Sequence, residues 1–134
     1  MQPGQPSRTA LIAASHRAAH QVLESGAIFA DPLALRILGQ HADGAIADAR
    51  NDPSLHRLRI FIAARTRIAE DALTHAIERG VTQLVMLGAG LDTFAYRSGF
   101  AQRLRMFEVD DATTLAWKRA CLATAAIAAP VSLS

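Results

Sequence analysis

Three groups of residues in this chain have the types and spacing to hold a small molecule. The first is Gly88-Ala89-Gly90, directly after the apolar run Leu84-Val85-Met86-Leu87. A run of that length suits a strand buried on both faces, as in a parallel sheet. Glycines straight after it let backbone N–H groups approach a ligand with no Cβ in the way. In open α/β sheets, ligands sit at the carboxyl ends of the strands. The second group is the acidic cluster Glu108, Asp110 and Asp111, closing the segment Leu-Arg-Met-Phe-Glu-Val at 104–109. Asp110 stands about twenty residues past the glycines, the interval at which a nucleotide-binding α/β unit sets an acid on a ribose hydroxyl pair. A carboxylate accepts from both hydroxyls at once. Capping of the next helix is the competing use of Asp110 and Asp111, and one of them is expected to serve it.

The third is Arg65. In the segment 54–79, Leu58, Ile62, Ala69, Ala72 and Ala76 recur at steps of three and four, which makes a long amphipathic helix. Position 65 belongs to that stripe and is arginine, so a guanidinium is expected to face the core. A buried cation needs an anion. Three readings are open: an internal carboxylate such as Asp92 or Glu108, an outward-reaching side chain, or a carboxylate-bearing ligand at the mouth of the sheet. Together the three groups imply a site for a nucleotide-like small molecule, with Arg65 facing the end of the first strand near Gly88.

The elements that must position these residues follow from caps and breaks. Residues 1–6 read as a disordered polar lead-in. Ser7 caps a helix over 8–24, with Leu11, Ala14, Ala18 and Val22 on one face. Asp31-Pro32 starts a short apolar helix carrying Leu33, Leu35, Ile37 and Leu38. Residues 41–50 are alanine-rich and weakly patterned, either loop or a poor helix. Asn51-Asp52-Pro53 starts the long helix and Gly80 ends it. After the first strand, residues 91–99 open a helix or helical turn that Asp92 and Thr93 can cap. Phe94 and Tyr96 read as packing residues. A last helix runs over 113–126, and Val131-Ser132-Leu133-Ser134 begins a third strand. The fold class is α/β, divided into a helical part at 1–80 and a strand–helix–strand–helix unit at 81–134.

Composition narrows the classes further. The chain has 134 residues, enough for one small core, and is 51% hydrophobic. A net charge of +2 with no basic block gives no argument for nucleic acid. No apolar run is long enough for a transmembrane helix, and residues 1–8 do not resemble a signal peptide, so a cytoplasmic protein is expected. The single cysteine, Cys121, fits a reducing compartment and reads as a structural thiol. His16 and His20 lie four apart, a spacing that can bind metal. No third ligand accompanies them, and they read as surface histidines.

Ordered in this way, the residues resemble a known family. Phe-Ile-Ala-Ala-Arg-Thr-Arg at 61–67, Leu-Gly-Ala-Gly-Leu-Asp-Thr at 87–93 and Phe-Glu-Val-Asp at 107–110 carry the likeness. Asp-Pro-Leu-Ala at 31–34, Ala-Glu-Asp-Ala-Leu at 69–73 and Ala-Trp-Lys-Arg at 116–119 support it. The chain resembles the leucine carboxyl methyltransferase family, nearest to its actinobacterial-type S-adenosylmethionine-dependent members, over residues 7–130. The resemblance implies the N-terminal part of a Rossmann-like methyltransferase fold, apparently truncated, with helices and the first two parallel strands. It implies S-adenosyl-L-methionine as cofactor and methyl transfer to an oxygen of an unknown carboxylate or hydroxyl acceptor. By the same resemblance Arg65 holds the methionine carboxylate, Gly88 and Gly90 pass under the cofactor, Asp110 takes the ribose hydroxyls, and Glu108 supports nearby. No catalytic side chain is expected. A dinucleotide-binding dehydrogenase is less fitting, because Thr93 stands where the third glycine of G-x-G-x-x-G belongs. The rival reading is an inactive remnant, or a half-site needing a partner chain, with self-association through an exposed sheet edge.

Overall fold

The computed structural model describes residues 6–134; all but Pro6 of the expected lead-in lies outside them. Helix α1 spans Arg8–Leu23, with Ser7 Oγ accepting from the Ala10 amide as its cap. α2 is Ala34–Leu38, followed by a 3₁₀ turn at Gly39–His41. The alanine-rich stretch is a helix after all, α3 at Ala42–Asn51. Asp52 caps a 3₁₀ turn, Pro53–Leu55, that leads into α4, His56–Glu78. At the end of α4, Gly80 takes φ +98° and the Val81 amide donates to the Ala76 carbonyl, which turns the chain into the sheet.

Strand β1, Gln83–Leu87, pairs in parallel with β2, Arg105–Val109. Between them lies one helical turn, α5, Phe94–Arg97. After β2 comes α6, Ala112–Thr124, capped by the Asp111 carboxylate on the Thr113 and Thr114 amides. Asp111 is thus the capping acid. The last residues do return to the sheet: the Met106 amide donates to the Ser132 carbonyl and the Ser134 amide to the Met106 carbonyl. The sheet order is therefore 132–134, β2, β1. Among the described residues, the far edge of β1 has no partner strand.

Side chains alternate across the strands, and the two faces of the sheet differ. Leu84 and Met86 of β1 and Met106 of β2 pack beneath Ile77, Phe94, Ala95 and Leu104. On the other face Val85, Leu87 and Val109 are exposed, Leu87 by 79%. The expectation of a strand buried on both faces is corrected on this point: the described residues supply a layer for one face only. A second core joins α1, α2 and α6 through Ala14, Ala18, Ile37, Leu38, Leu91 and Leu122. No helix among the described residues is long and apolar enough to cross a membrane.

The core stripe of α4 also differs from the one read from the sequence. Arg59, Ile62, Ala63 and Ile77 are its buried residues, whereas Leu58, Arg65, Ala69 and Ala72 are exposed. The buried arginine is Arg59, whose Nε and Nη2 donate to the Glu24 carboxylate. Both histidines expected at the surface are buried. His20 is fully so, its Nε2 accepting from the Ile28 amide at 3.2 Å and the Phe29 amide at 3.4 Å. A ring with two nitrogens can join α1 to the loop after it, an enclosed role that i, i+4 spacing does not reveal.

Candidate functional site

A cavity of about 640 Å³ opens at the C-terminal end of β1. The glycine turn Gly88–Gly90 forms its floor, α4 one wall and α1 another. Arg65, Gly88, Gly90 and Asp110 all line it, together with Arg17 and Asp92. Four of the five residues singled out in the sequence are thus brought together. Glu108 is not. Its carboxylate accepts from Lys118 Nζ at 2.7 Å and from the Tyr96 hydroxyl at 3.2 Å, beside a different cavity. The expectation that Glu108 supports the ribose-binding acid from nearby is therefore corrected. Two positions along an extended strand from Asp110, it is committed to a buried lysine.

The glycine turn departs from a phosphate-binding loop. The amides of Gly88 and Ala89 both donate to the Val109 carbonyl, at 2.8 and 3.2 Å. The Gly90 amide donates to Asp110 Oδ2 at 2.6 Å. These N–H groups, expected to face a ligand, are spent on joining β1 to β2. What the turn offers is close approach. Gly88 has φ +64°, and no atom lies within 4 Å of where its Cβ would stand. Gly90 has φ +50°, and a Cβ there would come within 3.1 Å of Ala10 Cβ, so this glycine lets α1 lie against the turn.

Arg65 lies on the cavity wall but is exposed, and it makes no ion pair among the described residues. The internal carboxylates weighed for it are engaged elsewhere, Glu108 on Lys118 and Asp92 Oδ1 on the Phe94 amide. Its guanidinium stands 6.0 Å from the Phe61 ring centroid. Arg17 on α1 joins it from the opposite wall. Arg17 is buried, and one Nη donates to the Leu91 carbonyl at 3.0 Å. Burial lowers its pKa, partly countered by Asp92 and Asp31. Two guanidiniums and the Asp110 carboxylate on one cavity suit a ligand that carries both an anion and hydroxyls.

The sequence profile of leucine carboxyl methyltransferases matches residues 10–134. The chain belongs to the leucine carboxyl methyltransferase family. Relatives from actinobacteria agree. One from Frankia alni is 37% identical over 101 residues, which is 71% of this chain and 35% of that protein. One from Streptomyces coelicolor is 35% identical over 130 residues, 91% of this chain and 44% of that protein. One from a Parafrankia strain is 41% identical over 80 residues, 60% of this chain and 23% of that protein. Each carries a name that provisionally assigns it S-adenosyl-L-methionine-dependent methyltransferase activity. The chain thus spans less than half the length of these relatives.

Two site-building residues of this family member escaped the sequence reading. Arg17 sits between Ala13-Ala14 and Ala18-Ala19, and its only signal is a charge among alanines. Asp31, read only as a helix cap, does accept from the Leu33 amide at 2.8 Å. Its second oxygen also accepts from Thr93 Oγ1 at 2.6 Å, which ties the loop before α2 to the glycine turn. Cys121 is half-buried, and burial raises its thiol pKa, in keeping with a structural thiol. Among the described residues, no group of three His, Cys, Asp or Glu is placed to hold a metal ion.

Proposed function

We propose that this chain forms the methionine-and-ribose part of an S-adenosyl-L-methionine site in a methyltransferase acting on an oxygen of a carboxylate or hydroxyl acceptor. The observation that carries the reading is the convergence of Arg65, Gly88, Gly90 and Asp110 on one cavity in a chain of this family. The donor set fits the group. Arg65 and Arg17 would take the carboxylate, by charge-assisted hydrogen bonds. Gly88 leaves room for the ligand to pass where any side chain would stand. Each Asp110 oxygen already accepts one amide, from Gly90 and from Asp111, both at 2.6 Å. A carboxylate has about four lone-pair sites, so acceptors remain for two ribose hydroxyls. The bound cofactor would supply the reactive methyl group, and the protein's task is to align donor and acceptor. The lone, half-buried Cys121 supports a cytoplasmic setting.

The test is a titration of the isotope-labelled chain with S-adenosylhomocysteine, followed by the amide resonances of Gly88, Gly90 and Leu91. Shifts centred on those amides are expected. No shift at millimolar ligand, or shifts centred elsewhere, would refute the reading.

A second reading is favoured by one observation. The free edge of β1 and the exposed Val85, Leu87 and Val109 leave a parallel sheet open, which is unusual. We infer that the chain alone is a half-site without methyl transfer, and that it self-associates through this edge. Gln83 to Leu87 carry no charge and no proline to discourage strand addition. Light scattering is expected to show a species larger than a monomer. A stable monomer with measurable methyl transfer would overturn this reading.

A further inference from the structure

Glu70 of α4 lines the same cavity as Arg65 and Arg17. A free carboxylate there would oppose an anionic ligand group and offer the arginines a competing partner. It is not free. Arg97, at the end of α5, donates from Nη1 to Glu70 Oε2 at 3.1 Å and from Nη2 to Glu70 Oε1. Arg97 itself is held from three sides. Its Nε donates to Thr93 Oγ1 at 2.9 Å and lies 3.4 Å from Asp31 Oδ1, and its guanidinium stands 4.8 Å from the Phe29 ring centroid. Its side chain is 11% exposed and that of Asp31 is fully buried. The fork is therefore fixed in place before any ligand arrives.

We propose that Arg97 is a positioning residue for the ligand's anionic end, occupying the Glu70 carboxylate so that Arg65 stays available to the ligand. This rests on the cofactor reading above and adds a residue that touches no ligand. The geometry separates this role from a general structural one. Arg97 meets the arginine end of the cavity through Glu70, while its contacts to Thr93 and the Phe94 ring lie at the turn, where the Thr93–Asp31 hydrogen bond remains without it, so its loss should be felt chiefly at the arginine end.

The experiment compares the chain with Arg97→Met and with Arg97→Met/Glu70→Gln. Two ligands are used, S-adenosylhomocysteine and methylthioadenosine, which lacks the amino acid end. Arg97→Met should weaken S-adenosylhomocysteine about tenfold and leave methylthioadenosine within about twofold. Adding Glu70→Gln should recover most of the loss. Equal weakening of both ligands, or no recovery in the double variant, overturns the proposal. A ligand-free readout runs alongside. In Arg97→Met the Arg65 Hε should become protected from water exchange as Glu70 turns to it, and in the double variant that protection should vanish. An unchanged Arg65 Hε overturns the proposal even if the chain binds neither ligand, an outcome that would separately refute the cofactor reading. Should Arg97→Met not fold, Arg97→Lys keeps the charge and loses the fork. It should then show an intermediate loss, for S-adenosylhomocysteine alone.

Discussion

Gly88 and Gly90 share a left-handed backbone but differ in what surrounds them, and that difference yields a paired prediction. Alanine at either position meets the same penalty for φ near +50° to +64°, roughly 1–2 kcal/mol. Reduced freedom of the unfolded chain returns about 0.4–1 kcal/mol of it. Gly88→Ala should therefore cost about 1 kcal/mol, because nothing lies within 4 Å of the new methyl group. Gly90→Ala adds a contact at 3.1 Å with Ala10 Cβ on α1. Neither partner is the end of a flexible side chain, so α1 must move. Overpacking of that kind adds about 1–3 kcal/mol. At this chain length 1 kcal/mol is worth about 4 °C. Thermal melts followed by circular dichroism should then show Gly88→Ala lower by about 4 °C and Gly90→Ala by about 8–16 °C. Ligand binding should rank in the other order relative to stability: Gly88→Ala fills the space a cofactor would cross, so it should bind little while still folded. Ala10→Gly in the Gly90→Ala background removes the contact and should recover part of the loss. If the two single variants melt together, the packing of α1 on the turn is not what Gly90 is for.

Three further outcomes are expected. Asp110→Asn keeps a carbonyl acceptor for the Gly90 amide and gives up the bond from the exposed Asp111 amide, which water can replace, so its melting should fall only slightly. Its affinity for S-adenosylhomocysteine, measured by calorimetry, should fall by about 1.5–3 kcal/mol for each charged hydrogen bond lost, and unchanged affinity would remove Asp110 from the ribose. Lys118 is fully buried against Glu108, so Lys118→Met should cost about 3–5 kcal/mol in denaturant melts, and Lys118→Met/Glu108→Gln should cost less, because no unpaired charge remains. Stability should also fall in acid in two steps. Burial and the nearby Arg59 lower the His16 pKa below its ordinary 6.5, so the unfolded chain binds the proton first and stability is lost as pH falls below 6.5. Hydrogen bonds from Arg59 hold Glu24 below its ordinary 4.5, giving a second loss as pH falls through that range. His16→Gln should flatten the first limb of a melting-versus-pH curve and leave the second.

What the sequence made legible was local. Ser7, Asp111 and Gly80 mark their boundaries by side-chain capping or a left-handed turn, and those boundaries lie close to where the sequence put them. The two strands announce themselves by apolar runs between glycine, proline-free turns and acids. The face of α4 was not legible, because it carries apolar residues all round. Leu58, Phe61 and Ile68 are exposed while Ile62, Ala63 and Ile77 are buried, and no periodicity count chooses between two apolar stripes. Arg59 shows why: its burial depends on Glu24, thirty-five positions away. The same holds for the site. Gly88, Gly90 and Asp110 were legible by type and spacing as residues that line one cavity, whereas Arg65 lines it from an exposed position and not from the core stripe that singled it out. Arg17, Asp31 and Arg97 were not, since each acts through a partner on a different element. Glu108 was misplaced for a related reason. Proximity in sequence to Asp110 suggested a shared task, but β2 ends at Val109 before Asp110, and Lys118 of α6 takes the Glu108 carboxylate.

The hydrogen bonds of the glycine turn also bear on what kind of ligand this cavity can take. A nucleotide held by its phosphates needs free backbone amides or a helix N-terminus to meet them. Here the Gly88 and Ala89 amides go to Val109, the Gly90 amide goes to Asp110, and the helix that follows is a single turn of four residues. Its first amide, on Phe94, is taken by Asp92. Asp92 and Asp110 both line the cavity, and their like charge opposes a pyrophosphate there. Apart from the Leu91 amide, the polar groups the turn and its walls leave to a ligand are side chains: Arg65 and Arg17 on the helical walls, Asp110 beyond the turn. A turn whose amides are spent in this way does not offer a phosphate cradle. The departure from G-x-G-x-x-G at Thr93 has the same origin. Thr93 is there to donate to Asp31 and to accept from Arg97, so the position that a dinucleotide fold keeps small for helix packing is used here to fix the cavity wall.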